Sequence, residues 1–280
     1  MSTIENKKVW YVTGASKGLG LALAKTLLRE GYRVAATSRK VEQLIEAIGS
    51  PSASFLPLQV DLTNSKAVKQ SVDDTIYKFG ALDVIVNNAG YGMGGTVEEF
   101  TEDELRQSFN VNVFAPVFVM QAALPFLRKQ RKGHIINISS IAGFAANTGW
   151  AIYAATKFSL FGLTEVLGQD LKEFNIHTTV VAPGAFRTAF LSDDSLVFTK
   201  HKIDDYSSVR KSHDKYKSMN GLQTGDPQKA ATTFIKLAEM PDPPATLFLG
   251  SDAYHRANEK ITAITTSLES FKELSFSTDY

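Results

Sequence analysis

The chain has 280 residues, 44% of them hydrophobic and 21% charged, which supplies apolar surface for a folded core and fits one large α/β domain or two small ones. Thirty basic against twenty-nine acidic side chains leave a formal charge of +1, so no field is evident that would gather nucleic acid or an anionic membrane, and small molecules are the expected partners. The absence of cysteine excludes disulfides, thiolate catalysis and cysteine metal sites.

Met1 to Lys8 is short and polar, without the apolar centre of a signal peptide, so a cytoplasmic address is expected. From there apolar β-rich runs alternate with amphipathic stretches almost to the last residue. Strands are predicted at Val9–Thr13, Arg33–Thr37, Ser54–Gln59, Asp83–Asn87, His134–Ile138, His177–Ala182 and Thr246–Leu249. Gly20–Glu30 and Ser65–Phe79 carry apolar residues at helical spacing, and Thr101-Glu102-Asp103-Glu104 reads as a capping box opening another helix. Val111–Leu127 is apolar but broken by Asn112, Pro116, Gln121 and Pro125, which predicts a buried helix rather than a membrane span. Ile152–Gly168 has helical spacing, and Ala253–Leu274 follows the last strand as one more helix. Between them Ala185 to Gly225 lacks clear periodicity, as a binding loop or lid would. No linker or repeat divides the chain, so a single domain over 1–280 is expected. The alternation implies an α/β class, a mostly parallel seven-stranded sheet covered by helices on both faces.

The first strand runs into Thr13-Gly14-Ala15-Ser16-Lys17-Gly18-Leu19-Gly20 and then a helix. At such a junction a dinucleotide pyrophosphate can rest on backbone N–H groups and the positive helix end. Gly14, Gly18 and Gly20 suit a tight turn, close approach of backbone to phosphate and close helix packing.

The spacing Gly-x3-Gly-x-Gly resembles the short-chain dehydrogenase/reductase family, and further marks of that family recur in order. Asp61 in Val60-Asp61-Leu62-Thr63 matches the position that contacts adenine, and Asn87-Asn88-Ala89-Gly90 matches the motif that ends the fourth strand. Asn112, Ser140, Tyr153 and Lys157 match the family's four catalytic positions, with Ser140 thirteen residues before Tyr153 and Lys157 four after it. Pro183-Gly184 with Thr188 matches the segment that binds the nicotinamide amide. The resemblance spans roughly Lys7 to Gly250 and implies a doubly wound Rossmann fold, an oxidoreductase that interconverts a carbonyl and an alcohol, and a subunit interface at the Val111–Leu127 and Ile152–Gly168 helices of a homodimer.

An Asp or Glu about twenty residues beyond the glycine turn would mark NAD, because its carboxylate accepts from the ribose hydroxyls. The second strand ends instead in Thr37-Ser38-Arg39-Lys40, where a guanidinium can pair with a 2′-phosphate. Lys17 adds a cation nearby, so NADP(H) is the expected cofactor.

Tyrosine titrates near pH 10 in water and needs a neighbouring positive charge to act as a base at neutrality. On a helix Tyr153 and Lys157 emerge on one face, so Lys157 is expected to lower the pKa of Tyr153. Tyr153 would then give or take the proton while Ser140 holds the substrate oxygen, and the resemblance adds that Lys157 bonds the nicotinamide ribose and Asn112 a water. Ser139 is the less suitable serine by spacing. The five histidines show no paired metal-ligand spacing. Met93, Phe144 and Trp150, with the apolar residues after Thr188, suggest a moderately bulky, largely apolar ketone, aldehyde or secondary alcohol as substrate. The competing reading is a non-catalytic NADP(H)-binding sensor or regulator, against which an intact Ser140, Tyr153 and Lys157 argue.

Overall fold

In the computed structural model, which describes residues 7–192 and 195–280, the strands are β1 (Val9–Val12), β2 (Arg33–Ser38), β3 (Phe55–Gln59), β4 (Val84–Asn87), β5 (Gly92–Gly94), β6 (Gly133–Ile138), β7 (Ile176–Pro183), β8 (Leu196–Phe198) and β9 (Thr246–Leu249). The α-helices are α1 (Gly18–Arg29), α2 (Val41–Ile48), α3 (Ser65–Phe79), α4 (Glu102–Phe109), α5 (Ala115–Gln130), α6 (Ile141–Phe144), α7 (Ala151–Leu171), α8 (Ser207–Ser218), α9 (Pro227–Glu239), α10 (Ser251–Ser270) and α11 (Lys272–Phe276). Seven strands join in one parallel sheet in the order β3-β2-β1-β4-β6-β7-β9, the doubly wound arrangement expected from the sequence. Order reverses at β1, and in such sheets the crevice beyond the carboxyl ends of the strands at that point is where ligands bind.

Side chains along β1 alternate between the two faces of the sheet. Trp10 and Val12 pack with Leu23 and Leu27 of α1 and Phe234 of α9, while Val9 and Tyr11 pack with Val68 and Val72 of α3 and Val119 and Ala123 of α5. Both layers are closed by fully buried aliphatic side chains, so β1, between them, is apolar throughout, and the buried polar groups of β4 and β6 are paired, as Asn87 is with Asn137. Pro57 sits in β3 at the sheet edge, where a missing N–H removes no ladder bond from a central pair. The Asn64 side chain caps α3 by accepting from the N–H groups of Lys66 and Ala67, and Gly80, at φ 69°, ends it. The capping box at Thr101 and Glu104 opens α4 as the sequence predicts.

The predicted Val111–Leu127 helix is two pieces. Residues Asn110–Phe114 form one π-helical turn that joins α4 to α5, with Pro116 in the first turn of α5. The whole run Glu102–Gln130 is long and apolar enough to cross a membrane by length and mean hydropathy. Its inner face packs instead in the α3 layer through Val119, Met120, Ala123 and Leu127. The Ala185–Gly225 segment is more structured than its sequence suggests. It contains β8, which pairs in parallel with β5 from Gly92↔Leu196 to Gly94↔Phe198, and α8.

Candidate active site

The glycine turn lies between β1 and α1 and is held by residues that follow β4. Asn88 Nδ2 donates to the carbonyls of Thr13 at 2.8 Å and Gly14 at 3.1 Å, and the Thr13 hydroxyl accepts from the N–H groups of Asn88 and Ala89 at 2.9 and 3.0 Å. Gly14 has φ +63°, and a Cβ there would stand 2.8 Å from Ala89 Cα. At Gly20 a Cβ would meet Asn88 Nδ2 at 2.5 Å and the Gly14 carbonyl at 2.7 Å, so both glycines let the turn close on β4. Gly18 is also left-handed, at φ +63°, and faces Thr188, 3.7 Å from the Cβ it lacks. Leu19 anchors the turn on the core below. Among the described residues the N-cap side chain makes no cap hydrogen bond to α1, so the first N–H groups of this twelve-residue helix start beside exposed Lys17 and half-buried Ser16. These are the features that a dinucleotide pyrophosphate requires.

The other cofactor candidates gather along the same carboxyl edge. Ser38 ends β2, its hydroxyl accepting from Lys40 N at 3.3 Å, and Arg39 is exposed beside it. Asp61, after β3, accepts from the Thr63 N–H and hydroxyl, and these bonds, with the charge of Arg39, hold its carboxyl below the ordinary range. Leu62 tucks against the core. Pro183 ends β7, and the next residue, Gly184, leaves no room for a Cβ against the Asp252 carboxylate, 2.0 Å from where it would stand. Asp252 Oδ2 accepts from Ala185 N at 2.8 Å, so the first turn of α10 fixes the Pro183–Ala185 bend. Nothing in the sequence pattern singled out Asp252, because the contact spans 67 residues.

Ser140, Tyr153, Lys157 and Asn112 converge at the ends of β4 and β6. Tyr153 and Lys157 lie one turn apart on α7, both buried, and the Ser140 hydroxyl lies close enough to the phenol to lower its pKa. The same hydroxyl accepts from Ala142 N at 3.1 Å, which caps α6 and fixes the serine rotamer. Lys157 Nζ donates to the Ile138 carbonyl at 2.9 Å and lies 3.0 Å from the Cβ that Gly90 lacks, as does Asn112 Oδ1. Asn112, on the π turn, has its amide engaged: Oδ1 accepts from Tyr91 N, and Nδ2 donates to the Tyr91 carbonyl and the Thr156 hydroxyl, all at 3.0 to 3.1 Å. Two supports escaped the sequence reading. Ser139 donates to the Lys157 carbonyl at 2.7 Å, and a Cβ on Gly143 would stand 2.7 to 2.9 Å from Lys157 atoms, so β6 and α6 clamp α7 at the lysine.

The electrostatics correct one expectation. Burial dominates and pushes the Tyr153 phenol up to about 12, opposed by the Ser140 hydrogen bond and raised further by Tyr216. Lys157 contributes no lowering, because its ammonium is turned toward the Ile138 carbonyl and burial takes its own pKa down to about 8. Helical spacing correctly places the pair on one face; it carries no information about how dry that face is.

An apolar cover lies over Tyr153. Trp150, Leu196, Phe190 and Phe198 pack with it, the Trp150 and Phe190 rings 6.4 and 6.2 Å from the Tyr153 ring. From α8, Tyr216 lies 4.9 Å and His213 5.2 Å from the Trp150 ring, and His213 Nε2 bonds the Gly149 carbonyl. Buried Glu99 holds the start of this cover, pairing with Arg210 and accepting from Ile203 N at 2.8 Å. Met93 is buried in β5 beside β8. Phe144 is not at the site: it stacks on Phe161 and Phe248 in a separate cluster against α10. The end of α6 turns it away from Tyr153.

A profile of the family described as short chain dehydrogenase matches residues 8–196. A 3-ketodihydrosphingosine reductase from Bacteroides thetaiotaomicron is 35% identical over 237 residues, covering 85% of this chain and 86% of that protein. The crystal structure of a short-chain dehydrogenase from Streptomyces avermitilis superposes with a TM-score of 0.89 at 33% identity, covering 97% of this chain and all of the other. The structure of ElxO with NADP bound has a TM-score of 0.71 at 26% identity and covers 87% of this chain and 97% of its own. Together with the seven-stranded doubly wound sheet, these similarities show that the chain is an oxidoreductase belonging to the short-chain dehydrogenase family.

Proposed function

We propose that the protein interconverts a bulky apolar ketone or aldehyde and its alcohol with NADP(H), using Tyr153 as the proton donor or acceptor. The observation that carries this reading is a buried phenol beside the Ser140 hydroxyl, one helical turn from Lys157, at the carboxyl edge of the sheet that also holds the glycine turn. When bound, the nicotinamide supplies or accepts the hydride. With its pKa near 12 the Tyr153 phenol is protonated at neutral pH, the form that gives a proton to an oxygen gaining negative charge. Ser140 donates to that same oxygen and orients it against the phenol. In the oxidative direction the Ser140 hydroxyl favours the phenolate, while Lys157, one turn along α7, would hold the nicotinamide ribose. Asn112 steadies the site by tying the π turn to Tyr91 and Thr156.

Preference for the phosphorylated cofactor rests on Arg39 and Lys17, both exposed at the edge where a 2′-phosphate would lie, and on the end of β2 carrying Ser38-Arg39-Lys40 in place of an acid. The NADP carried by ElxO agrees with it. Gly14, Ser16, Gly18, Leu19, Gly20, Ser38, Asp61, Leu62, Asn88, Ala89, Gly90, Pro183, Gly184 and Thr188 would complete the binding surface. The cover of Trp150, Phe190, Leu196 and Phe198 favours an apolar substrate, and a relative named for reducing a ketone fits that direction.

Turnover of a panel of ketones and aldehydes, followed by NADPH absorbance, tests this reading. Wild type should reduce apolar members with NADPH, and Tyr153→Phe should lose on the order of a hundredfold or more in kcat while retaining NADPH affinity. A variant that turns over at near the wild-type rate, or a wild type inert across the panel, would refute the mechanism.

A further inference from the structure

The cover over Tyr153 holds two hydrogen-bond donors that the described residues do not satisfy. Trp150 is 3% exposed, and its indole N–H meets no acceptor among those residues. A donor left buried and unpaired is costly, and an acceptor on a ligand would relieve that cost. The second donor is Tyr216 of α8. Its ring packs edge-on to Trp150 with centroids 4.9 Å apart, near enough to the site for its charge to raise the Tyr153 phenol. The Tyr216 hydroxyl accepts from Asn147 Nδ2 at 2.5 Å, which occupies an oxygen lone pair and leaves the O–H proton to point elsewhere. Among the described residues no side chain or carbonyl takes that proton. The side chains packed around both donors are those of Ala142, Phe190, Leu191, Leu196 and Phe198, none of which carries an oxygen.

On the reading that the substrate carbonyl seats at Tyr153, we propose that Tyr216 selects substrates that carry a second, hydrogen-bond-accepting oxygen, such as an ester or amide carbonyl, several atoms along the chain from the reacting one. Tyr216 is half-buried, so a ligand under the cover can reach its hydroxyl. A purely hydrocarbon ligand would take water from the Tyr216 proton without pairing it. A site that leaves a donor unpaired rejects such a ligand more strongly than an apolar wall rejects one by size. The phenol is also held in place for this role. Trp150 supports the ring, and Asn147, in the loop that leads into α7, fixes the oxygen. Two further bonds tie α8 to the same loop: the Ser212 hydroxyl donates to the Thr148 carbonyl at 2.8 Å, and His213 Nε2 bonds the Gly149 carbonyl at 3.0 Å. Because this loop continues through Trp150 into the helix that carries Tyr153, the two phenols keep a set separation, and the place of the second oxygen along the substrate becomes the recognised feature.

A series of methyl ketones of one chain length, one plain and the others bearing an ester carbonyl at successive positions, tests the assignment. In wild type one ester position should lower KM about tenfold against the plain ketone, the worth of a single hydrogen bond. Tyr216→Phe keeps the ring on Trp150 and removes the proton, whereas Asn147→Asp keeps the phenol and offers a carboxylate that accepts its proton. Both variants should bring the ratio of kcat/KM between that keto ester and the plain ketone to near one. The same preference should appear in binding to the dead-end complex with NADP+, read by quenching of tryptophan fluorescence, since Trp150 is one of two tryptophans and Trp10 lies in the core. This second readout needs no turnover. A wild type that binds the keto ester preferentially yet reduces no ketone would support the Tyr216 assignment while refuting the Tyr153 mechanism. An ester preference that persists in Tyr216→Phe, or a wild type with equal affinity for every member of the series, overturns the assignment.

Discussion

Lys157 is a buried cation whose removal should separate stability from activity. Its ordinary pKa of 10.5 falls to about 8 in the folded protein, and at about 1.4 kcal/mol per pH unit the buried ammonium costs roughly 3 kcal/mol at neutral pH. In Lys157→Met that cost disappears, while the bond to the Ile138 carbonyl is lost and a buried acceptor is left unpaired, which returns about 1 to 3 kcal/mol. The net expectation is a variant about 1 kcal/mol more stable at pH 7, some 2 °C in melting temperature for a chain of this size. The sign depends on pH. Between pH 8 and 10.5 the unfolded lysine holds its proton while the folded one has released it, so wild-type stability rises with pH across that window. Below pH 8 both forms are protonated and the full penalty remains. Thermal melts of wild type and Lys157→Met at pH 7 and pH 10 should therefore show the variant's advantage shrinking and reversing at the higher pH, with reductase activity lost at both. A stability difference identical at the two pH values would refute the burial argument.

Arg39→Asp should invert cofactor choice, lowering kcat/KM for NADPH by about tenfold to a hundredfold while that for NADH is kept or raised, since a carboxylate repels a 2′-phosphate and accepts from ribose hydroxyls. Steady-state rates with the two cofactors check this. Gly14→Ala forces a Cβ within 2.8 Å of Ala89 Cα at a positive φ, and should cost about 2 kcal/mol or more in denaturant unfolding and weaken NADPH binding in a fluorescence titration. Asp252→Ala frees the Ala185 N–H and the Pro183–Ala185 bend. Its KM for NADPH should rise severalfold, with a smaller change in kcat, in the same assay.

The cover over Tyr153 shows where local sequence stops being informative. Gly92–Gly94 has no alternation to mark a strand, and it becomes one only by pairing with Leu196–Phe198, more than a hundred residues away. Ser207–Ser218 is rich in charged and polar residues and buries only Val209 and His213, so its sequence offers too few apolar positions to mark a packed helix. Likewise Phe144 sits three residues after the helix start at Ile141, close in sequence to Ser140, yet α6 points it at Phe248.

The alternation of apolar strands and amphipathic helices determined the sheet and its faces, because a strand buried on both sides is mostly apolar and its crossover helices must carry one apolar stripe. The glycine turn was equally a matter of sequence, since left-handed backbone and close approach each demand a missing Cβ. Solvation was decided by tertiary structure alone. The spacing of Tyr153 and Lys157 brought the two groups to one face, but the packing of Trp150, Phe190 and Leu196 removed the water around the phenol, and the Ile138 carbonyl claimed the ammonium. A pKa depends on every dipole and cavity within reach, and those come from elements that the chain brings together only on folding.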